Sequence, residues 1–248
     1  MHNPLLQTEG LPPFDRIRPE HVVPGVRRLL AELSEELGAA ERAAAPAWEA
    51  AVRPIERIGD RLARVWGVVG HLMGVRNAPE LRQAHDEVEG EVVAFGLRLA
   101  QSEPLFRALE QLREDRAWSA LDATQQRIVE CLLRDARLAG VALRGAARER
   151  FNAIQEELAE CATRFANHVL DATKAFALEL REPDEVSGLP PSLRALAAQA
   201  AREAGAAEAT AERGPWRITL DFPSLGPFLQ QSRRRDLRER LYRANVAR

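Results

Sequence analysis

The feature that most limits how this chain can fold is a stripe of apolar and small residues between positions 144 and 180. Ala147, Phe151, Ile154, Leu158, Cys161, Phe165, His168 and Ala172 follow one another at alternating steps of four and three. Only an α-helix brings such positions onto one side. A stripe kept in heptad register over three to four repeats asks for helical neighbours along its length. A helix from about Arg144 to Leu180 would be about 50 Å long at 1.5 Å per residue. The fold class this predicts is mainly α, an antiparallel helical bundle whose earlier helices cover the seam.

The earlier segments carry matching patterns. Val22, Val26, Leu29, Leu33 and Leu37 share one face, with Pro24 in the first turn. A second helix is expected from about Pro54 to Val75, and a third after Asn77 as N-cap, with Leu81, Val88, Val92 and Phe95 inward. A fourth starts at Ser102, and a fifth at Asp122 with Gln125, ending near Gly140. The proline-rich start, Asn3 to Phe14, reads as an arm laid across a core. After Pro183 the pattern changes to a loop, a short alanine-rich helix and a turn. Trp216 to Phe222 then alternates as a β-strand, stopped by Pro223. That strand needs a partner, either Glu179–Leu180 and their neighbours or something outside the chain. A final helix, about Ser232 to Val246, reaches the C-terminus with no glycine or proline stop, as if the chain ended mid-domain. The expected division is a helical lobe over 1–182, a connecting segment over 183–214, and the beginning of a second, incomplete lobe over 215–248.

Composition excludes several classes of function. The formal net charge of −2 argues against a protein devoted to nucleic acid or an anionic membrane surface, so neither is expected as a partner. Lys174 is the sole lysine beside many arginines, a codon bias that suggests a GC-rich, bacterial genome. Cys131 and Cys161 lie in helical, apolar contexts that suit a reducing compartment. With no signal-like N-terminus and no apolar run long enough for a bilayer, a cytoplasmic location is expected.

Few residues offer chemistry. His85 and Glu89 are one helical turn apart and could share a metal, but their acidic neighbours read as a solvated face. His168 reads as a partly buried histidine on the seam, and no basic residue stands out beside Cys131 or Cys161 to activate a thiol. Gly67, Gly70 and Gly74 lie within a helical pattern and are expected to permit close helix packing. Arg233, Arg234, Arg235, Arg238, Arg240, Arg243 and Arg248 could meet RNA, but with Tyr242 as their single aromatic neighbour they read as a solvated helix face.

Several segments in order resemble bacterial members of the thimet oligopeptidase family of zinc metallopeptidases. They are Asn3-Pro4-Leu5-Leu6, Leu11-Pro12-Pro13-Phe14, Pro19-Glu20-His21-Val22 and Asn167-His168-Val169-Leu170-Asp171-Ala172-Thr173. Thr219-Leu220-Asp221-Phe222-Pro223-Ser224 and Leu237-Arg238-Glu239-Arg240-Leu241-Tyr242-Arg243-Ala244 complete the set. The resemblance implies a helical enzyme with a deep channel between two lobes, which admits short peptides and excludes folded proteins. It also implies a zinc ion held by His-Glu-x-x-His and a later glutamate, where two histidines four apart chelate the metal and the glutamate serves as base. None of His2, His21, His71, His85 and His168 begins such a motif. No catalytic, cofactor-binding or metal-ligating residue is therefore assigned, and zinc is expected to belong to a part of the enzyme outside this chain. Two departures stand out: His168 replaces a usual asparagine, and Leu225-Gly226 replaces a usual Tyr-Leu, which removes a phenol. The expected function is a non-catalytic helical region forming one wall of the channel, partnered by the missing catalytic lobe. The alternative is a stand-alone helical interaction module.

Overall fold

A computed structural model describes residues 3–248. Met1 and His2, the latter one of the five histidines, lie outside the described residues. The chain divides into two compact units, 1–160 and 161–248.

In the first unit, α1 (Val22–Arg42), α2 (Trp48–Val75) and α3 (Pro79–Ala100) bury their apolar stripes against one another. Val22, Leu33 and Leu37 of α1 are fully enclosed with Ile58 and Val69 of α2 and Val88 of α3. Removing side chains of this size from water contributes about 1.5–3 kcal/mol each. Charged groups bridge the rim of this packing: Arg61 reaches Glu32 at 2.7 Å and Glu36 at 2.9 Å, and Arg57 also pairs with Glu36. The N-terminal arm lies on this core through Leu5 and Ile17. Asn3 fastens it to the His21 carbonyl at 2.8 Å, and Arg64 donates to the carbonyls of Gln7 and Gly10. A Cβ at Gly25 would stand 2.8 Å from Asn3 Nδ2, so glycine there allows the arm to sit close.

A second, smaller core joins the start of α2 to α4 (Glu103–Glu114) and α5 (Ala123–Leu138) through Ala51, Val52, Leu109, Leu112, Val129 and Leu133. This explains why α2 begins at Trp48, before the expected Pro54. Pro54 lies inside the helix and forfeits one backbone bond, but burial of Ala51 and Val52 holds the preceding turns. Asn77 is not the N-cap of α3: that position is Ala78, and the Asn77 amide turns back to the Met73 carbonyl at 2.8 Å. Ser102 does occupy the N-cap of α4, yet its hydroxyl donates to Glu41 at 2.7 Å. Asp122 and Gln125 form the expected reciprocal cap of α5, and Gly140 follows its end at φ +83°.

The long helix, α6 (Gly145–Ala175), is shorter than the seam predicts, and no residue on it is buried. Ile154, Leu158 and Phe165 are 37%, 56% and 69% exposed. The expected covering by the preceding helices is thus corrected. In the first unit α1–α3 and α2–α4–α5 use their buried stripes on one another. What fastens the start of α6 there is polar: Gln101 bonds Asn152 and Arg148, both at 2.8 Å, and Arg144 pairs with Glu103 at 2.8 Å.

In the second unit, β1 (Ala177–Leu180) pairs antiparallel with β2 (Trp216–Thr219), which resolves the search for a strand partner in favour of Glu179–Leu180 and their neighbours. Leu178, Leu180, Trp216 and Ile218 form one buried face under α7 (Pro191–Glu203), α8 (Phe222–Gln231) and α9 (Arg235–Val246). The 183–214 segment adds Leu193, Ala197, Ala198 and Ala201 of α7 to this core. β2 ends at Thr219, short of the expected Phe222, so Pro223 is not what stops the strand. Phe222 and Pro223 form the first turn of α8, a helix that alternation alone did not reveal, and proline is tolerated there because its missing N–H has no partner to lose. Leu225, at the position of the missing phenol, is buried in this core.

The glycines test this packing. A Cβ at Gly67, Gly70 or Gly74 would meet nothing within 4 Å, so they do not serve close helix packing. At Gly188, with φ +87°, a Cβ would stand 2.5 Å from the Gln231 carbonyl oxygen. Gly67→Ala and Gly70→Ala are each expected to raise stability by about 0.5–1 kcal/mol. Gly188→Ala is expected to lower it by about 1–2 kcal/mol or more. Urea midpoints of the purified variants check both signs.

Candidate functional site

One group of possible metal ligands occurs among the described residues: His85, Asp86 and Glu89 on α3, with donor atoms within 4.8 Å of one another. Helix geometry explains part of the grouping, since Glu89 lies one turn on from His85 on the same face, while the adjacent Asp86 reaches the ring directly. His85 is not on a solvated face. It is only 7% exposed, and its ring stacks on Trp66 of α2 with centroids 4.7 Å apart and planes 23° apart. Its Nδ1 lies 3.2 Å from Asp86 Oδ1. The signal was present in the sequence, because Leu81, His85, Val88, Val92 and Phe95 step by four, three, four and three. The imidazole is the polar member of an apolar stripe.

This donor set does not fit a hydrolytic zinc site. Such a site holds the ion with three protein ligands and leaves a position for water, commonly using two histidines four apart. Here one histidine is packed flat on an indole and bonded to its neighbouring carboxylate. The other described histidines serve elsewhere or stand apart. His21 Nδ1 accepts from the Arg18 N–H at 3.0 Å, and the His71 ring meets Phe14 at 5.3 Å. His168 is exposed, which corrects the expectation that it is partly buried; on α6 no residue is buried.

The groove beside this cluster, between α3 and the first part of α6, encloses about 490 Å³. It is lined by carboxylates, including Asp86, Glu87, Glu89, Glu156, Glu157 and Glu160. Arg27 of α1 answers part of that charge, pairing with Glu87 at 3.0 Å and Glu91 at 2.8 Å. A separate apolar cavity of about 170 Å³ lies among α2, α3, α4 and α5, lined by Ile55, Leu99, Leu105, Phe106, Leu109 and Leu132.

Cys131 is half-buried; Cys161 is exposed, with the Arg164 guanidinium 3.6 Å from its sulfur, a neighbour the sequence reading passed over. No histidine is bonded to either. The terminal arginines are largely engaged locally. Arg234 pairs with Asp236 at 2.7 Å and Asp184 at 3.1 Å, which raises its already high pKa and holds Asp236 below the usual carboxylate range. Arg243 pairs with Glu239, Arg238 caps the Ser232 carbonyl, and Arg248 reaches Thr173. No helix among the described residues is long and apolar enough to cross a membrane.

Among the described residues the arrangement offers an acidic groove beside one group of possible ligands and a separate apolar cavity. Residues 26–148 match the profile of the neurolysin/thimet oligopeptidase N-terminal domain, which defines the class as a helical N-terminal peptidase domain. Over 246 residues the chain is 47% identical to the probable cytosolic oligopeptidase A of Arabidopsis thaliana, covering 99% of this chain and 35% of that protein. It is equally similar, at 47%, to the organellar oligopeptidase A of the same plant, covering 99% of this chain and 31% of the relative. Against oligopeptidase A of Escherichia coli K12 the identity is 36% over 245 residues, 98% of this chain and 35% of that enzyme. The chain belongs to the thimet oligopeptidase family and corresponds to the N-terminal part of oligopeptidase A. It spans about a third of the length of these relatives.

If His85 is a packing residue, His85→Phe retains the stack on Trp66 while removing the nitrogen donors. That variant is expected to stay within about 1 kcal/mol of the parent in urea unfolding, because aromatic volume is conserved. His85→Asp, which places a charge in the stripe, is expected to lose several-fold more.

Proposed function

We propose that this chain is the non-catalytic helical region of a zinc-dependent oligopeptidase, forming one wall of the channel that admits short peptides. The observation that carries this reading is the combination of similarity to oligopeptidase A over 98% of this chain and a donor set unfit for hydrolytic zinc. On this reading the region acts by geometry, limiting what enters and orienting it, which lowers the entropic barrier to reaction without contributing a reacting group. The zinc ligands and general base come from the catalytic lobe, the principal partner, and short peptides are the substrates. The setting we propose is a bacterial cytoplasm, with neither nucleic acid nor membrane as partner.

A second reading has one observation in its favour. Ile154 and Leu158 stand exposed on α6, as a stand-alone interaction module would require. The nucleotide sequence past Arg248 separates the two: an open frame encoding His-Glu-x-x-His supports the peptidase region, and a stop codon supports the module.

Purified residues 1–248, incubated with zinc and a quenched fluorescent peptide, are expected to show no turnover above buffer. Turnover abolished by a chelator would remove the proposal.

A further inference from the structure

Two backbone N–H groups fix which way the small sheet turns its hydrogen-bonding edges. The Thr219 N–H donates to the Ser224 hydroxyl at 3.0 Å, and the Arg181 N–H donates to the Glu185 carboxylate at 2.7 Å. Neither faces the opposite strand. Thr219 lies opposite Ala177, and Arg217 opposite Glu179. Antiparallel residues alternate between pairs that exchange hydrogen bonds and pairs that do not. Leu178 with Ile218 and Leu180 with Trp216 are therefore the bonded pairs. Ala177 and Glu179 turn their N–H and C=O groups away from β2.

The two edges of the sheet differ. β2 is flanked by α7 and α8, and Ser224 of α8 closes its Thr219 end. β1 has β2 as its main neighbour, and no hydrogen bond to the outward groups of Ala177 or Glu179 occurs among the described residues. Such an edge is a template for a further strand. It is also short. The Glu185 carboxylate takes the N–H groups of Glu182 and Arg181, bonds that hold its pKa below the usual range, and so ends the edge. The open stretch, residues 177–179, is about 10 Å long at 3.4 Å per residue.

We propose that the outer edge of β1 holds the backbone of a short extended peptide as a third strand. This inference rests on the peptidase reading above, and it names a main-chain grip within the proposed wall. Length favours a peptide over a long strand of a folded partner, because a partner running past Glu179 meets an N–H already taken at Arg181. The side chains leave room: Ala177 carries only a methyl group, and Glu179 is drawn toward β2 by its 2.7 Å pair with Arg217. Peptide residues lying beside Leu178 and Leu180 would share the buried face, so apolar residues at alternate positions fit best.

The test is NMR titration of the ¹⁵N-labelled chain with the pentapeptide acetyl-Thr-Val-Thr-Val-Thr-amide. The amides of Ala177 and Glu179 are expected to shift on binding. N-methylation of one alternate set of peptide amides should abolish binding, and methylation of the other set should leave it intact, since only one set faces the edge. Ala177→Pro removes an outward N–H without touching the β1–β2 bonds and is expected to weaken binding about fivefold. Unchanged Leu178 and Ile218 amides certify that this variant is folded, and the methylated peptides need no variant at all. Binding unaffected by either methylation, no binding, or shifts confined to other residues would overturn the proposal. So would protection of Ala177 and Glu179 that rises with protein concentration in the absence of peptide, which marks a second copy. Peptide cleavage is read in the same samples. Loss of edge binding without cleavage defeats this inference alone, whereas chelator-sensitive cleavage defeats the channel reading whatever binds at β1.

Discussion

Burial of the α1 stripe between α2 and α3 is the constraint from which the first unit follows. Val22, Leu33 and Leu37 are removed from water completely, and this fixes the faces that α2 and α3 must turn inward. Once α3 is set by Leu81, Val88, Val92 and Phe95, His85 has one place to go, onto Trp66. The histidine that came nearest to a metal ligand is thereby committed to the core. The same packing leaves α6 with no buried residue, held at its start by polar contacts with Gln101 and Glu103.

Among the described residues, helix packing keeps the histidines apart from one another. Histidines at 21, 71, 85 and 168 sit on four different helical segments, each tied to local work or left exposed. Catalysis by this family calls for side chains brought within bonding distance of one metal.

Much of the architecture was legible in the sequence, and the failures share a cause. Stripes at helical spacing located α1 and α3, the Asp122/Gln125 cap and Gly140 bounded α5, and alternation located the strand that begins at Trp216, because periodicity reports directly on which residues can be buried together. Pairing with Glu179–Leu180 was one of two alternatives, and only the fold could choose. The seam on α6 misled because spacing gives a helix a face but says nothing about whether a partner is present. Pro54 and Asn77 misled for a related reason: tertiary burial of Ala51 and Val52 carried α2 past a helix breaker, and Asn77 found a better acceptor at Met73. α8 was missed because Pro223 reads equally as the end of a strand and as the first turn of a helix. Of the candidate site, the missing His-Glu-x-x-His was plain in the sequence, whereas the burial of His85 needed its place in the 81–95 stripe to be counted.

Zinc stoichiometry of residues 1–248 by native mass spectrometry, after incubation with equimolar zinc and desalting, bears on the whole of this reasoning. A metal-free mass is expected, because the one possible ligand group among the described residues has its histidine stacked on Trp66 and in contact with Asp86. One zinc retained per chain, and lost in His85→Phe, would contradict it.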